Sequence, residues 1–279
     1  MKLILALTAA LGCALAQPPD IDRIMYRVAV NQAQAQEARQ LYVYNQKQLL
    51  RMSRGNGKLT REERREYIVT PTLHHAKKQL AKFEGRYAFN GSFVLYDRPG
   101  YQYKSIDIDG DLINDMSNDM TDDHNSLDGI ARDLFPLTYH QQLKYDYRLV
   151  GEETYRGHQV YRVGFQPKSQ PHFEEGEAIW KGEALIDAAE FQPVQVITSM
   201  ALKLPLVVKT LLGTNIKGLG FSLAYRKFAD GLWFPVSYGG EFEVQGLFFY
   251  KRRISVSLVN SDFHRADVNS TLEYKMDDK

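Results

Sequence analysis

From Leu143 to Val259 the chain alternates apolar and polar side chains in one stretch after another, with short turns between them. Tyr145, Tyr147 and Leu149 oppose Lys144, Asp146 and Arg148, and Tyr161, Val163 and Phe165 repeat the pattern. Phe221, Leu223 and Tyr225 make one face of a strand; Ile254, Val256 and Leu258 make one face of the last. A period of two puts successive side chains on opposite faces of a sheet, so 143–151, 159–165, 183–187, 194–202, 221–227, 232–245 and 249–259 are predicted strands. Gly151-Glu152, Arg156-Gly157 and Asp230-Gly231 are the expected turns. Turns this short join antiparallel neighbours, because parallel strands need a long crossover. An antiparallel sheet of about eight or more strands twists too far to stay flat, so it must curl into a barrel or half-barrel, or split into a sandwich.

The first half adds strands and two helices. Gln40–Met52 and Leu59–Thr70 are extended in character, and Asn56-Gly57 between them is a hairpin signal because both residues tolerate positive φ. The charged run Arg61–Glu66 reads as a solvated strand or a short helical turn. His74–Phe83 is too short to assign; Tyr87–Leu95 and Tyr101–Ile108 read as short extended pieces. Ile21–Ala38 has helical spacing, with Asp20 as N-cap. Asp111–Asp133 is a second predicted helix, with Leu112, Met116, Met120, Leu127 and Ile130 in one stripe and a stop at Pro136. Its cap is expected at Asp111, after a turn at Asp109-Gly110. The concave face of a curled sheet would expose a large apolar patch, and the helices are available to cover it. The expected fold is therefore mainly β (α+β): a curled antiparallel sheet or incomplete β-barrel with an N-terminal helix and a covering helix.

The N-terminus predicts export. Lys2 precedes an uncharged stretch rich in Leu and Ala that ends in Ala14-Leu15-Ala16, the small-x-small pattern of a cleavage site. The stretch is too short to span a bilayer. Residues 1–16 thus read as a signal peptide and 17–279 as a single β-rich domain; lipidation at Cys13 is the rival, and Ala10-Leu11-Gly12 fits a lipobox poorly. Cys13 is the only cysteine, so the mature chain depends on its core rather than on disulfides. Removing Lys2 takes the net charge from +1 to 0, which argues against nucleic acid as a partner.

No catalytic pattern emerges: there is no Gly-x-Ser-x-Gly, no Gly-rich phosphate loop, and the seven histidines show no metal-ligand spacing. Gly218-Leu219-Gly220 reads as a bend at a strand start. Segment 105–133 carries nine Asp against one Arg. Within it, Ser105, Asp107, Asp109 and Gly110 partly match a calcium loop, but Met116 stands where the bidentate carboxylate belongs, so no calcium site is predicted. No metal and no cofactor are expected. An acidic outer face on a covering helix, kept for solubility or for a basic partner, is the remaining reading.

The strands YDYRLVGEETYRGHQVYRVGFQPK (145–168), GEALIDAAEFQPVQV (182–196) and DGLWFPVSY (230–238) resemble the periplasmic lipoprotein-carrier superfamily, the LolA/LolB/RseB-like half-barrels. The helix and hairpin over Ile21–Thr70 are similar to theirs in order. The resemblance implies an apolar cavity under plugging helices that binds acyl chains or senses envelope lipoproteins. Aromatic residues expected to face inward are Tyr145, Tyr147, Phe165, Phe221, Tyr225, Trp233 and Phe234. With Met116 and Met120 of the covering helix, the first six are the candidate ligand-binding residues. The expectation is a monomeric, non-enzymatic carrier or binding protein for a lipid, an acylated protein or another apolar ligand, periplasmic or secreted. The alternative is an envelope sensor or interaction module with a filled core, acting on a protein partner through its acidic helix.

Overall fold

The computed structural model describes residues 20–72, 76–121, 137–169, 179–201, 215–218, 220–245 and 250–266, with the side chains of 119–121 and 215–217 excepted. The expected signal peptide, and the part of the acidic helix that carries Leu127 and Ile130, lie outside the described residues. Among the described residues the elements run α1 (Ile21–Arg39), β1 (Tyr42–Ser53), β2 (Leu59–Pro71), β3 (Ala76–Phe89), β4 (Ser92–Tyr96), α2 (Ile108–Thr121) and α3 (Tyr139–Gln142). They continue β5 (Tyr145–Tyr155), β6 (His158–Pro167), β7 (Trp180–Asp187), β8 (Pro193–Met200), β9 (Asn215–Lys217), β10 (Gly220–Ala229), β11 (Leu232–Gln245) and β12 (Lys251–Arg265).

The strands form one sheet that does not close, ordered β4-β3-β2-β1-β12-β11-β10-β8-β7-β6-β5, with β9 on β11. Every pairing is antiparallel. Most neighbours along this order are successive in sequence, so short connections specify them. The long-range join is β1 with β12, running from Tyr42↔Arg265 to Ser53↔Arg253. This topology makes β4 and β5, consecutive in the chain, the two opposite edges of the sheet. The segment between Tyr96 and Tyr145 must therefore cross from one edge to the other, and α2 lies on that crossing.

The core lies on one face. Leu50 and Met52 of β1 continue into Ile254, Val256 and Leu258 of β12, and onward through Phe221, Leu223 and Val196. Onto this face α1 places Ile24, Met25 and Val28, and α2 places Leu112, Ile113 and Met116. α1 thus buries the apolar stripe that its spacing predicts, and α2 buries Leu112 and Met116, the described part of its stripe. The Asp20 carboxylate caps α1 by accepting from Asp22 N at 3.3 Å. The Asn/Gln run of α1 does more than favour helix: Asn31 donates to the Glu190 carbonyl and Gln32 to Gln192 Oε1, tying the helix to the β7–β8 turn.

Several expectations are corrected. Residues 101–107 form no strand; Tyr101 and Tyr103 lie in a loop and stack on Tyr96 and Tyr87, at 4.9 and 4.6 Å between ring centroids. The second helix begins at Ile108 rather than Asp111. Asp107 caps it, accepting from Gly110 N at 3.1 Å. Gly110 is therefore helical rather than a hairpin turn, and a Cβ there would lie 2.7 Å from Arg61 Nη1. Gly151 is no turn either: β5 runs through it with a register shift between Leu149 and Gly151, a bulge. The true turn is Arg156-Gly157, both at positive φ. The largest correction is the charged run Arg61–Glu66, where Arg61, Glu62, Glu63 and Arg65 are buried rather than solvated.

Candidate functional site

The run is buried because β2 is an interior strand of the sheet, covered on one face by α2 and flanked on the other by long side chains. Odd positions face inward, where Arg61, Glu63 and Arg65 meet Asp107 from the start of α2. Each of these four side chains is at most 1% exposed. Arg61 Nη1 donates to Asp107 Oδ2 at 2.6 Å; Arg65 donates to Glu63 Oε2 from Nη2 at 2.6 Å and from Nε at 2.9 Å. Two guanidiniums against two carboxylates leave the quartet neutral, which is what permits charges to be buried at all.

Tyr96 binds the two pairs together. Its hydroxyl accepts from Arg61 Nε at 2.7 Å and donates to Glu63 Oε1 at 2.8 Å. It reaches them by crossing over Gly85, where a Cβ would lie 2.2 Å from the Tyr96 ring. Burial and the adjacent Glu63 push the Tyr96 pKa far up, so this hydroxyl stays a donor. Burial alone would lower the Arg61 pKa, but Tyr96 and Asp107 outweigh it and hold the guanidinium charged. Arg61 also donates to the Tyr101 carbonyl. A second anchor lies in the first turn of α2, where Arg252 Nε and the Tyr250 hydroxyl donate to Asp109 Oδ1 at 2.9 and 2.8 Å. The two aspartates of the calcium-like motif are thus each held by an arginine. Among the described residues no group of three His, Cys, Asp or Glu is placed to hold a metal ion.

The even positions of β2 face outward. There Glu62 accepts from Arg51 Nε at 2.7 Å and pairs with Arg86 at 3.0 Å, on the strands to either side.

Tyr145, Phe165, Phe221, Tyr225, Trp233 and Met116 are buried in the single core cluster, and Tyr147 packs against it. Tyr145 and Tyr147 lie 6.0 and 6.4 Å from the Phe165 ring. Met120 is in α2, but its side chain is outside those described. Phe234 does not join them. It packs with Tyr42, Phe228 and Phe263 at 5.3, 5.5 and 4.2 Å in a separate aromatic group. The reason is a bulge: β11 passes from Ser237 to Pro235 while β10 advances one residue, and the extra residue shifts the alternation so that Trp233 faces the core. Trp233 Nε1 donates to Glu190 Oε2 at 2.8 Å. Trp180, which no motif singles out, is buried against Phe221 at 5.4 Å, and its indole N–H has no acceptor among the described residues. The buried quartet was legible only as Arg, Glu and Arg at alternate positions of one strand, a signal with no partner in the nearby sequence.

No family model matches the sequence, and no curated protein matches it. The fold is similar to three crystal structures. A DUF1329 family protein from Desulfovibrio piger is 14% identical with a TM-score of 0.40, over 91% of this chain and 96% of that one. A putative outer membrane lipoprotein-sorting protein domain from Vibrio parahaemolyticus is 12% identical with a TM-score of 0.37, over 90% and 95%. A LolA superfamily protein from Nitrosomonas europaea is 9% identical with a TM-score of 0.33, over 90% and 96%. The open antiparallel sheet is established by the strand order and register of this chain itself.

Proposed function

We propose that the protein is an exported, non-enzymatic carrier or binding protein for an apolar or acylated ligand, held on the concave face of its sheet beneath α2. Cleavage after Ala16 would release a mature domain beginning at Gln17. The observation that carries the reading is the crossing helix. α2, which belongs to the β4–β5 connection, lays Leu112, Ile113 and Met116 onto an apolar, aromatic-rich face. Its start is pinned by ionic contacts from Arg61 and Arg252, while the next turns rest on Leu112, Ile113 and Met116 together with two hydrogen bonds, Arg65 Nη2 to Asn114 Oδ1 at 3.4 Å and Ser117 Oγ to Gln48 Oε1 at 2.9 Å. Apolar contacts can be exchanged for an acyl chain at little cost; the pinned end supplies the pivot. Methionine suits such a cover, because its flexible thioether repacks readily. The indole N–H of Trp180, which has no acceptor among the described residues, offers a donor to a polar group on the ligand.

Hydrogen exchange on the mature protein tests this. Residues 112–121 should exchange faster than Tyr145–Phe165, and should slow when palmitate is added. Equal protection in both segments, unchanged by palmitate, would remove the carrier mechanism and leave the alternative of a filled core acting on a protein partner.

A further inference from the structure

The β1–β2 turn, the β3–β4 turn and the start of α2 meet at one end of the sheet around a cavity of about 160 Å³. Its wall includes four cationic side chains, Arg54, Lys58, Arg61 and Arg252, and two carboxylates, Asp107 and Asp109. Both carboxylates are occupied: Asp107 by Arg61 at 2.6 Å, and Asp109 by Arg252 at 2.9 Å. That leaves Arg54 and Lys58, which are exposed and have no ion-pair partner among the described residues. The turn that carries them is fixed. Arg54 N donates to the Lys58 carbonyl at 2.9 Å, Gly57 N to the Arg54 carbonyl at 2.9 Å, and Lys58 N to Asn56 Oδ1 at 3.1 Å. Two cations without an ion-pair partner among the described residues therefore line a small polar cavity.

We infer that this cavity binds a phosphate dianion, either inorganic or as a phosphomonoester head group. The lining carries two positive charges in excess of its carboxylates, which a dianion neutralises. The arginine fork matches the oxygens of a phosphate, and the lysine adds a point charge. At ~30 Å³ per water the cavity has room for about five waters, which suits a tetrahedral oxyanion. Asn90 and Tyr103 line the same wall and bring neutral polar groups. The helix dipole of α2 is no part of the argument, because Asp107 already caps that end. The inference is independent of the carrier reading.

Calorimetry on the mature protein at low salt tests it, with inorganic phosphate, dihexanoyl phosphatidic acid and dihexanoyl phosphatidylcholine titrated separately. The double variant Arg54→Gln/Lys58→Gln changes two exposed turn side chains and keeps the fold; Arg226→Gln, an exposed cation on β10, is the control. Phosphate and phosphatidic acid should both bind, with affinity falling about tenfold per charge removed and with added salt, while the control is unchanged. Binding of phosphatidic acid alone, lost in the double variant, supports the site and identifies the head group as its source. No binding of either, or binding that persists in the double variant or is matched by phosphatidylcholine, overturns the inference.

Discussion

Asp107→Ala removes a carboxylate that serves two separate purposes. Oδ2 accepts from Arg61 at 2.6 Å, and Oδ1 caps α2 through Gly110 N at 3.1 Å. The substitution leaves the quartet with one uncompensated positive charge in a place with almost no solvent. Removing one partner of a buried pair costs about 3–5 kcal/mol, and loss of a helix cap about 1 kcal/mol. Because Arg61 keeps Tyr96 and the Tyr101 carbonyl, the low end applies, and the expected loss is about 4 kcal/mol against a domain stability of about 5–15 kcal/mol. Part of it can appear as local undocking of α2, so two readouts are needed: urea unfolding followed by tryptophan fluorescence, and hydrogen exchange over 108–121. Asp107→Asn should cost about 1 kcal/mol less, since it keeps the capping oxygen. Arg61→Met/Asp107→Asn should recover much of the loss, because it leaves the Arg65–Glu63 pair neutral and no stranded charge. A loss below about 1 kcal/mol in Asp107→Ala, with unchanged exchange in α2, would refute the reasoning that the quartet holds the helix.

Gly85→Ala forces a methyl group into the Tyr96 ring, 2.2 Å away, and should cost about 1–3 kcal/mol in urea unfolding; Gly91→Ala, at an open turn with positive φ, should leave the quartet intact and so not slow or speed exchange in α2. Glu62 responds to pH: burial alone would raise its pKa, but Arg51 and Arg86 outweigh this and hold it below the ordinary carboxylate value. A depressed folded pKa gives stability that is present above the unfolded value of about 4.3 and is lost as pH falls through the folded one. Glu62→Gln should therefore be less stable at pH 7 and lose stability less steeply below about pH 4.3, and parallel acid limbs for the two proteins would contradict this.

Much of the architecture was written locally. Alternation marked most of the residues that face the core from Tyr145 to Leu258, since the period of a strand is set by its own backbone. Helical spacing and Asp20 placed α1 to within a residue of its observed end. The turns at Asn56-Gly57, Arg156-Gly157 and Asp230-Gly231 each follow from a glycine that adopts positive φ at no steric cost. What failed did so where a distant group decided the outcome. The bulge in β11 kept Trp233 in the core but turned Phe234 to the separate aromatic group, because the pairing with β10 set the register and a one-residue shift reverses a face. Arg61, Glu63 and Arg65 look like a solvated run because their hydrophilicity is local, while the carboxylate that balances Arg61 and the hydroxyl that ties the two pairs together come from Asp107 and Tyr96, 46 and 35 residues away from Arg61. Sequence sets propensity and period, which are short-range. The pairing of β1 with β12, the crossing of α2 and the burial of four charges depend on contacts across the chain, and only the assembled sheet could decide them.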